Sequence, residues 1–383
     1  FTIFHSLLLM ILVEKIGLFD GDRSPFYQKC LQKCKNTNCT SDGVFTREAA
    51  KLQDSWAWLL GWGCEDECRY HCMWRTVQGY QERGYQIPKF HGKWPFRRIL
   101  GVQEPASAFA SVLNLLVHVH MYRKIIREFP IKDTPMVMFW HGFAWVCIHA
   151  WLWSTVFHTR DKFFTEFMDY ACALSMVMSL LIAAIARRGR AAAVTAAALL
   201  TLYYVEHARY LYTGRIDYDY NMQVNVFFGV TGSLLWLLWS WYQYVAGSRY
   251  VWRLVAFTAL SGMFLTMELW DFAPRRGWDA HALWHLSTAL LPALFYRLAI
   301  IAVRTIGTSI HMHTDHHDQP IAGSLQSTGL SHSEKGLAIV YHAGHVRIGR
   351  LHTRLRILWR TLRHAGFLTV FSFTVKASDI LIT

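Results

Sequence analysis

Five residues in this chain have the types and spacing to do chemistry together: Ser154, His158, Asp169, His281 and His285. Ser154 and His158 are four apart, as are His281 and His285, so each pair falls on one face of a helix. Each pair lies at the edge of an apolar stretch long enough to cross a bilayer. Ionisable groups at membrane depth are costly, so a cluster of them is a functional hypothesis by default. The imidazoles of His158, His281 and His285 form a Zn2+ ligand set that leaves one position open for water or substrate. Zinc brings the pKa of bound water down toward neutrality. Asp169 can then act as general base and return the proton to a leaving alkoxide. Ser154, one turn before His158, can hydrogen-bond the water or a developing oxyanion. A serine nucleophile is the runner-up role, since no histidine is placed locally to activate Ser154.

The elements that must position these residues are apolar. The chain has 383 residues, of which 53% are hydrophobic and 17% charged, too apolar for an ordinary soluble domain. Seven apolar stretches, roughly 103–122, 136–157, 167–186, 191–212, 222–245, 250–270 and 279–303, each approach the ~20 residues of a spanning helix. The expected fold is an all-α membrane protein, a seven-transmembrane-helix bundle over 101–303. The net charge of +13 resides mainly in short inter-span loops and in the C-terminal tail. That distribution favours topology signals and anionic lipid headgroups, with no nucleic-acid partner. His118, His141 and His149 read as packing histidines, and His120 as facing a headgroup.

The N-terminal segment predicts the compartment. Residues 1–19 form an apolar run resembling the h-region of a signal peptide, with a short membrane anchor as the other reading. Cys30, Cys34, Cys39, Cys64, Cys68 and Cys72 cluster in the polar segment 20–100. An even count behind a signal-like run reads as disulfides in an oxidising lumen, with a zinc knuckle as the alternative. Their one-turn spacing could staple two short helices, and all fifteen pairings stay open. Asn38 heads an Asn-Cys-Thr glycosylation sequon, consistent with a lumenal location. Cys147 and Cys172 read as packing thiols. With 20–100 lumenal, alternation of the spans brings His158, Asp169, His281 and His285 to the lumenal leaflet, and the Lys/Arg distribution among the loops agrees. Residues 304–383, His-rich and then basic, read as a disordered cytosolic tail.

Several stretches match a known family: GDRSPFYQKCLQKCKNTNC from Gly21, CEDECRYHCMW from Cys64, PKFHGKWPF from Pro88, QEPASAFASVLN from Gln103, WLWSTVFHTRDKFFTEFMDY from Trp151, RIDYDYNM from Arg215 and WDAHALWHLST from Trp278. Over about residues 20–300 the chain resembles the Per-one-like family, within a superfamily of seven-span hydrolases that includes alkaline ceramidases and adiponectin receptors. The resemblance implies remodelling of the GPI anchor after attachment to protein, by removal of the sn-2 acyl chain from its phosphatidylinositol. It implies Zn2+ as cofactor, and GPI-anchored proteins and membrane lipids as partners. Ser154, His158, Asp169, His281 and His285 match the superfamily's metal and catalytic motif. Glu104 matches an acidic position that helps bind Ca2+ in ceramidase relatives, without the accompanying acidic ligands here. Asp217, Asp219 and Asn221 match a family motif read as a lumenal loop contact. The implied location is the Golgi membrane, with the endoplasmic reticulum as alternative. Two rival functions are a ceramidase-like amide hydrolase and a non-catalytic seven-span receptor for GPI-protein cargo. The second would need the metal's open position closed by protein.

Overall fold

The computed structural model describes residues 21–128, 137–214, 216–298 and 300, all in one compact unit. The apolar run 1–19 and the tail from 304 lie outside the described residues. Among the described residues there are helices and isolated β-bridges, and no strand.

The Cys-rich module is built on two helices, α1 (Pro25–Asn38) and the later Cys64–Glu82. Pro25 opens α1 at a position where its missing N–H breaks no helical bond. Two short helices intervene, α2 (Arg47–Ala50) and α3 (Ser55–Leu59), each capped by a side chain: Thr46 accepts from Ala49 N, and Asp54 from Trp56 N. Cys64–Glu82 is therefore α4. Cys30 pairs with Cys72, Cys34 with Cys68, and Cys39 with Cys64. One partner number rises as the other falls, the signature of two antiparallel helices stapled at one-turn intervals. All six thiols are consumed, which removes the zinc-knuckle alternative. The module's own core is small, centred on Tyr27, Cys72, Val77 and Phe90, so the staples carry much of its stability. Losing one native disulfide from such a module costs roughly 2–5 kcal/mol. Cys64→Ser is therefore expected to melt well below wild type under non-reducing conditions. A wild-type melting profile in that variant would refute the stapling role.

The seven apolar stretches fold as α5 (Pro105–Glu128), α6 (Val137–Thr159), α7 (Phe163–Ala186), α8 (Arg190–Tyr212), α9 (Tyr218–Val245), α10 (Trp252–Trp270) and α11 (Ala280–Thr288). The last stretch turns at 289–290 and resumes as helix over 291–298. Four segments, α7, α8, α9 and Arg249–Trp270, are long and apolar enough to cross a membrane. α5 and α6 match them in length, with 24 and 23 residues. Their apolarity is diluted by residues such as Asn114, His118 and Lys124 in α5, and His141, His149 and His158 in α6. Leu202, Leu238 and Trp241 lie exposed on the outer surface, as expected where lipid rather than water surrounds a helix. The chain is a multi-pass membrane protein.

Neighbour relations explain how distant residues meet. α5 packs on α6, α6 on α7, α7 on α9, α9 on α10, α10 on α11, and α11 back on α5. The ring closes, and α8 stands outside it against α7. Closure brings the C-terminal part of the bundle against α5 and, through it, toward the end of α6. One end of the interior is filled by an aromatic cluster in which Phe295 meets Trp140, Phe143, Trp236 and Phe257. Phe143 and His158 are fifteen residues apart on α6, about 22 Å along its axis, so this plug lies well away from the histidines.

The Cys-rich module is fastened to one end of the ring by polar contacts. Arg160 bonds Asp66 on α4, and Lys93 pairs with both Asp161 and Glu166. Lys89 pairs with Asp271 after α10, and Trp94 Nε1 donates to the same carboxylate at 2.9 Å. The HGKWPF segment is thus a clasp joining the module to the α6–α7 and α10–α11 connections. Burial works against the Lys93 ammonium, but Asp161, Glu166 and Glu104 outweigh it and hold its pKa well above the usual lysine range. Gly101 completes the junction. It adopts a φ of +73°, a Cβ there would lie 2.8 Å from Trp56 O, and its carbonyl accepts from Trp62 Nε1 at 2.9 Å.

Candidate metal centre

Three local features aim the site. The start of α5 is tied to the end of α6: Glu104 N donates to His158 O, and Gln103 N to Thr159 O, both at 3.0 Å. α11 is started by Asp279, which accepts from Ala282 N at 2.9 Å, so His281 and His285 lie in its first two turns. α10 carries Glu268 close to its end. These termini converge at the end of the ring that bears the Cys-rich module.

His158, His281 and His285 come together with ligand atoms all within 4.8 Å of one another. His281 Nε2 lies 3.4 Å from His158 Nε2 and 2.9 Å from His285 Nε2. The other nitrogen of each ring is already engaged. His158 Nδ1 bonds Glu104 Oε2 at 2.8 Å, and His281 Nδ1 bonds Glu268 Oε2 at 2.8 Å. His285 Nδ1 contacts Ser111 Oγ at 3.1 Å. An ionised carboxylate only accepts, so Glu104 and Glu268 draw the ring proton to Nδ1 and leave a lone pair on Nε2. Lone pairs facing one another across 3.4 Å fit a cation between them and repel without one. Two tetrahedral zinc ligands at ~2.0–2.1 Å from the ion stand roughly 3.3–3.4 Å apart. A carboxylate behind each of two histidines is also the usual outer support of a zinc site. The donor set therefore fits Zn2+.

The remaining expected residues join the cluster. Asp169, in the second turn of α7, hydrogen-bonds Ser154. Ser154 Oγ also lies 3.1 Å from Ser111 Oγ, which links it to His285. Ser111, Ser154, His158 and His285 are all buried. Glu104, expected as an accessory residue, bonds His158. Asp217 and Asn221 make other contacts. Asp217 caps α9 by accepting from Tyr220 N, and Asn221 accepts from Asn225. Asn38 ends α1 with its amide donating to Cys34 Sγ at 3.4 Å. His118, His141 and His149 bond Tyr296, Tyr122 and Trp153 respectively, as packing histidines do.

Four residues of the site were missed at the level of sequence. Glu268 is one, and Tyr218 is another, its hydroxyl donating to Glu268 Oε1 at 2.6 Å. Ser111 is the third. Asn114 is the fourth, donating to the His285 carbonyl at 2.7 Å. A signal existed for three of them: Glu268 is a carboxylate inside an apolar stretch, and Ser111 and Asn114 are polar residues three apart on one helical face.

Residues 55–302 match the model of the Per1-like family. The post-GPI attachment to proteins factor 3 of Drosophila melanogaster is 41% identical over 315 residues, covering 79% of this chain and 95% of that protein. The human and zebrafish proteins called GPI-specific phospholipase A2-like PGAP3 are each 42% identical, covering 72% and 73% of this chain and 87% and 89% of their own lengths. No solved structure matches. A family match over more than half the chain, agreeing with relatives aligned along most of their length, makes this chain a member of the Per1-like family.

Proposed function

We propose that this protein remodels GPI anchors, hydrolysing the sn-2 ester of the phosphatidylinositol that holds an anchored protein in the membrane. The observation that carries the reading is the convergence of three histidine Nε2 atoms, with Glu104 and Glu268 behind two of the rings and the Asp169–Ser154 pair beside them. The names of the relatives, GPI-specific phospholipases A2-like, supply the substrate class.

A Zn2+ ion held by His158, His281 and His285 would supply Lewis acidity for the ester carbonyl and acidify the attacking water. Asp169 takes the proton from that water as its oxygen bonds to the carbonyl carbon. Ser154 orients the Asp169 carboxylate and can donate to the carbonyl oxygen as negative charge gathers there. Glu104 and Glu268 hold His158 and His281 in one tautomer throughout, and Tyr218 fixes the Glu268 carboxylate. The bond from the carbonyl carbon to the glycerol oxygen then breaks, and Asp169 returns its proton to that oxygen. The products are a lyso-GPI-anchored protein and a free fatty acid.

The wider reading is a seven-span bundle whose histidine end and Cys-rich module face the lumen of the Golgi, where the sn-2 ester lies just below the lipid headgroup. An open ligand position and a dedicated base beside it favour a hydrolase over a cargo receptor. Mass spectrometry of GPI anchors from cells lacking the protein is the test. The unsaturated sn-2 chain is expected to persist on those anchors, and anchors with wild-type lipid would end the enzymatic reading.

A further inference from the structure

A cleft of about 200 Å³ lies where the Cys-rich module meets the bundle. Trp62, Tyr70, Trp94, Arg98 and Arg160 are among its walls, and Glu104 is part of its lining. Glu104 is also the carboxylate bonded to His158, so the cleft and the histidine cluster share a residue. Trp62 is held between two guanidinium groups, with Arg98 3.2 Å and Arg160 3.6 Å from its ring centroid. Each arginine is held by one carboxylate, Glu67 for Arg98 and Asp66 for Arg160. Both are nonetheless incompletely satisfied: Arg98 Nε and Arg160 Nε are buried with no hydrogen-bond partner among the described residues. A buried donor without an acceptor is costly, and two guanidiniums stacked on one ring, each ion-paired to a carboxylate through a single terminal nitrogen, bring cationic donors to the cleft for the oxygens of an anion. The aromatic rings and alternating polar groups around them suit the faces and hydroxyls of a ring polyol.

We propose that this cleft binds the phosphorylated inositol headgroup of the lipid substrate, with Arg98 and Arg160 taking the phosphate and Trp62, Tyr70 and Trp94 lining the place of the polyol. The proposal rests on the lipid-hydrolase reading for the identity of the ligand, and its geometry is independent of it. In phosphatidylinositol the headgroup phosphate and the sn-2 carbonyl are only a few covalent bonds apart. A headgroup held beside Glu104 therefore leaves that carbonyl within reach of His158 and its partners. The Cys-rich module becomes the part of the protein that selects the lipid, and the clasp made by Lys93 and Trp94 holds it over the site.

The test uses the full-length protein in detergent and the water-soluble probe glycerophosphoinositol, with glycerophosphocholine and inorganic phosphate as comparisons. Glycerophosphoinositol is expected to bind more tightly than either, and Arg98→Gln and Arg160→Gln should each weaken it about tenfold or more, as loss of a charged hydrogen bond does. A glucosaminyl conjugate of the probe separates the two lipid sources. Tighter binding of the conjugate assigns the site to GPI, and equal binding to phosphatidylinositol at large; both support the cleft. His281→Ala should bind the probe like wild type while losing hydrolysis. Binding kept without any hydrolysis in wild type would remove the hydrolase reading alone, and hydrolysis with no probe binding would remove the cleft alone. Equal binding of inorganic phosphate, or arginine variants that bind like wild type, would overturn the proposal. Should the variants fail to fold, phenylglyoxal labelling of the wild-type protein decides: the probe is expected to protect Arg98 and Arg160, and unchanged labelling of both refutes the site.

Discussion

Asp169→Asn is expected to leave a folded protein with its full complement of metal and almost no turnover. Asparagine keeps the size of the side chain and an acceptor for the Ser154 hydrogen bond, so the local packing survives. What it loses is the ability to take a proton. General-base loss costs ~10²–10⁴ in rate, and the measurement is hydrolysis of a diacyl GPI substrate by purified variant and wild type at matched metal content. Turnover within a few-fold of wild type would take the base away from Asp169. The next candidate would then be Glu104, whose carboxylate already bonds His158 at 2.8 Å. The prediction separates Asp169 from Ser154, because Ser154→Ala removes one hydrogen bond to the carboxylate and spares the base itself. Its effect should be the smaller of the two.

How much of this was legible in the sequence follows from the range of each interaction. Helical stretches were readable because apolarity and spacing are local: α8 was expected at 191–212 and spans Arg190–Tyr212. The number of membrane-crossing segments was less so, since α5 and α6 spend apolar positions on polar groups that the bundle buries, such as Ser111, Asn114 and His118. The five residues first singled out do meet, because residues one turn apart on a helix move as a unit and only the helices had to be brought together. Their supports were missed for the opposite reason. Glu268 lies thirteen residues before His281, across a turn whose direction no local pattern dictates. Ser111 is 174 residues from His285, and the two meet only because the ring of helices closes α11 onto α5. Cysteine pairing was left open likewise, until the antiparallel course of α1 and α4 chose one set.

Metal content is where the site assignment makes its other large prediction. His281→Ala should purify with zinc far below one equivalent per chain and with no detectable hydrolysis. His281 holds the central position: its Nε2 faces the Nε2 atoms of both His158 and His285, at 3.4 and 2.9 Å. Removing it leaves two imidazoles, one short of a site that binds zinc tightly. Glu268→Gln is the graded control. It retains all three ligands, but glutamine can offer its NH2 to His281 Nδ1 and no longer compels the tautomer that frees Nε2. Outer-support substitutions of this kind typically weaken metal affinity ~10–100-fold. The variant should therefore carry zinc as purified and surrender it to a chelator that leaves wild type loaded. Competition with a chromogenic chelator, followed by elemental analysis, reads both effects. Full zinc occupancy in His281→Ala would refute the three-histidine centre. Chelator resistance equal to wild type in Glu268→Gln would leave the ligands in place and strip Glu268 of its supporting role.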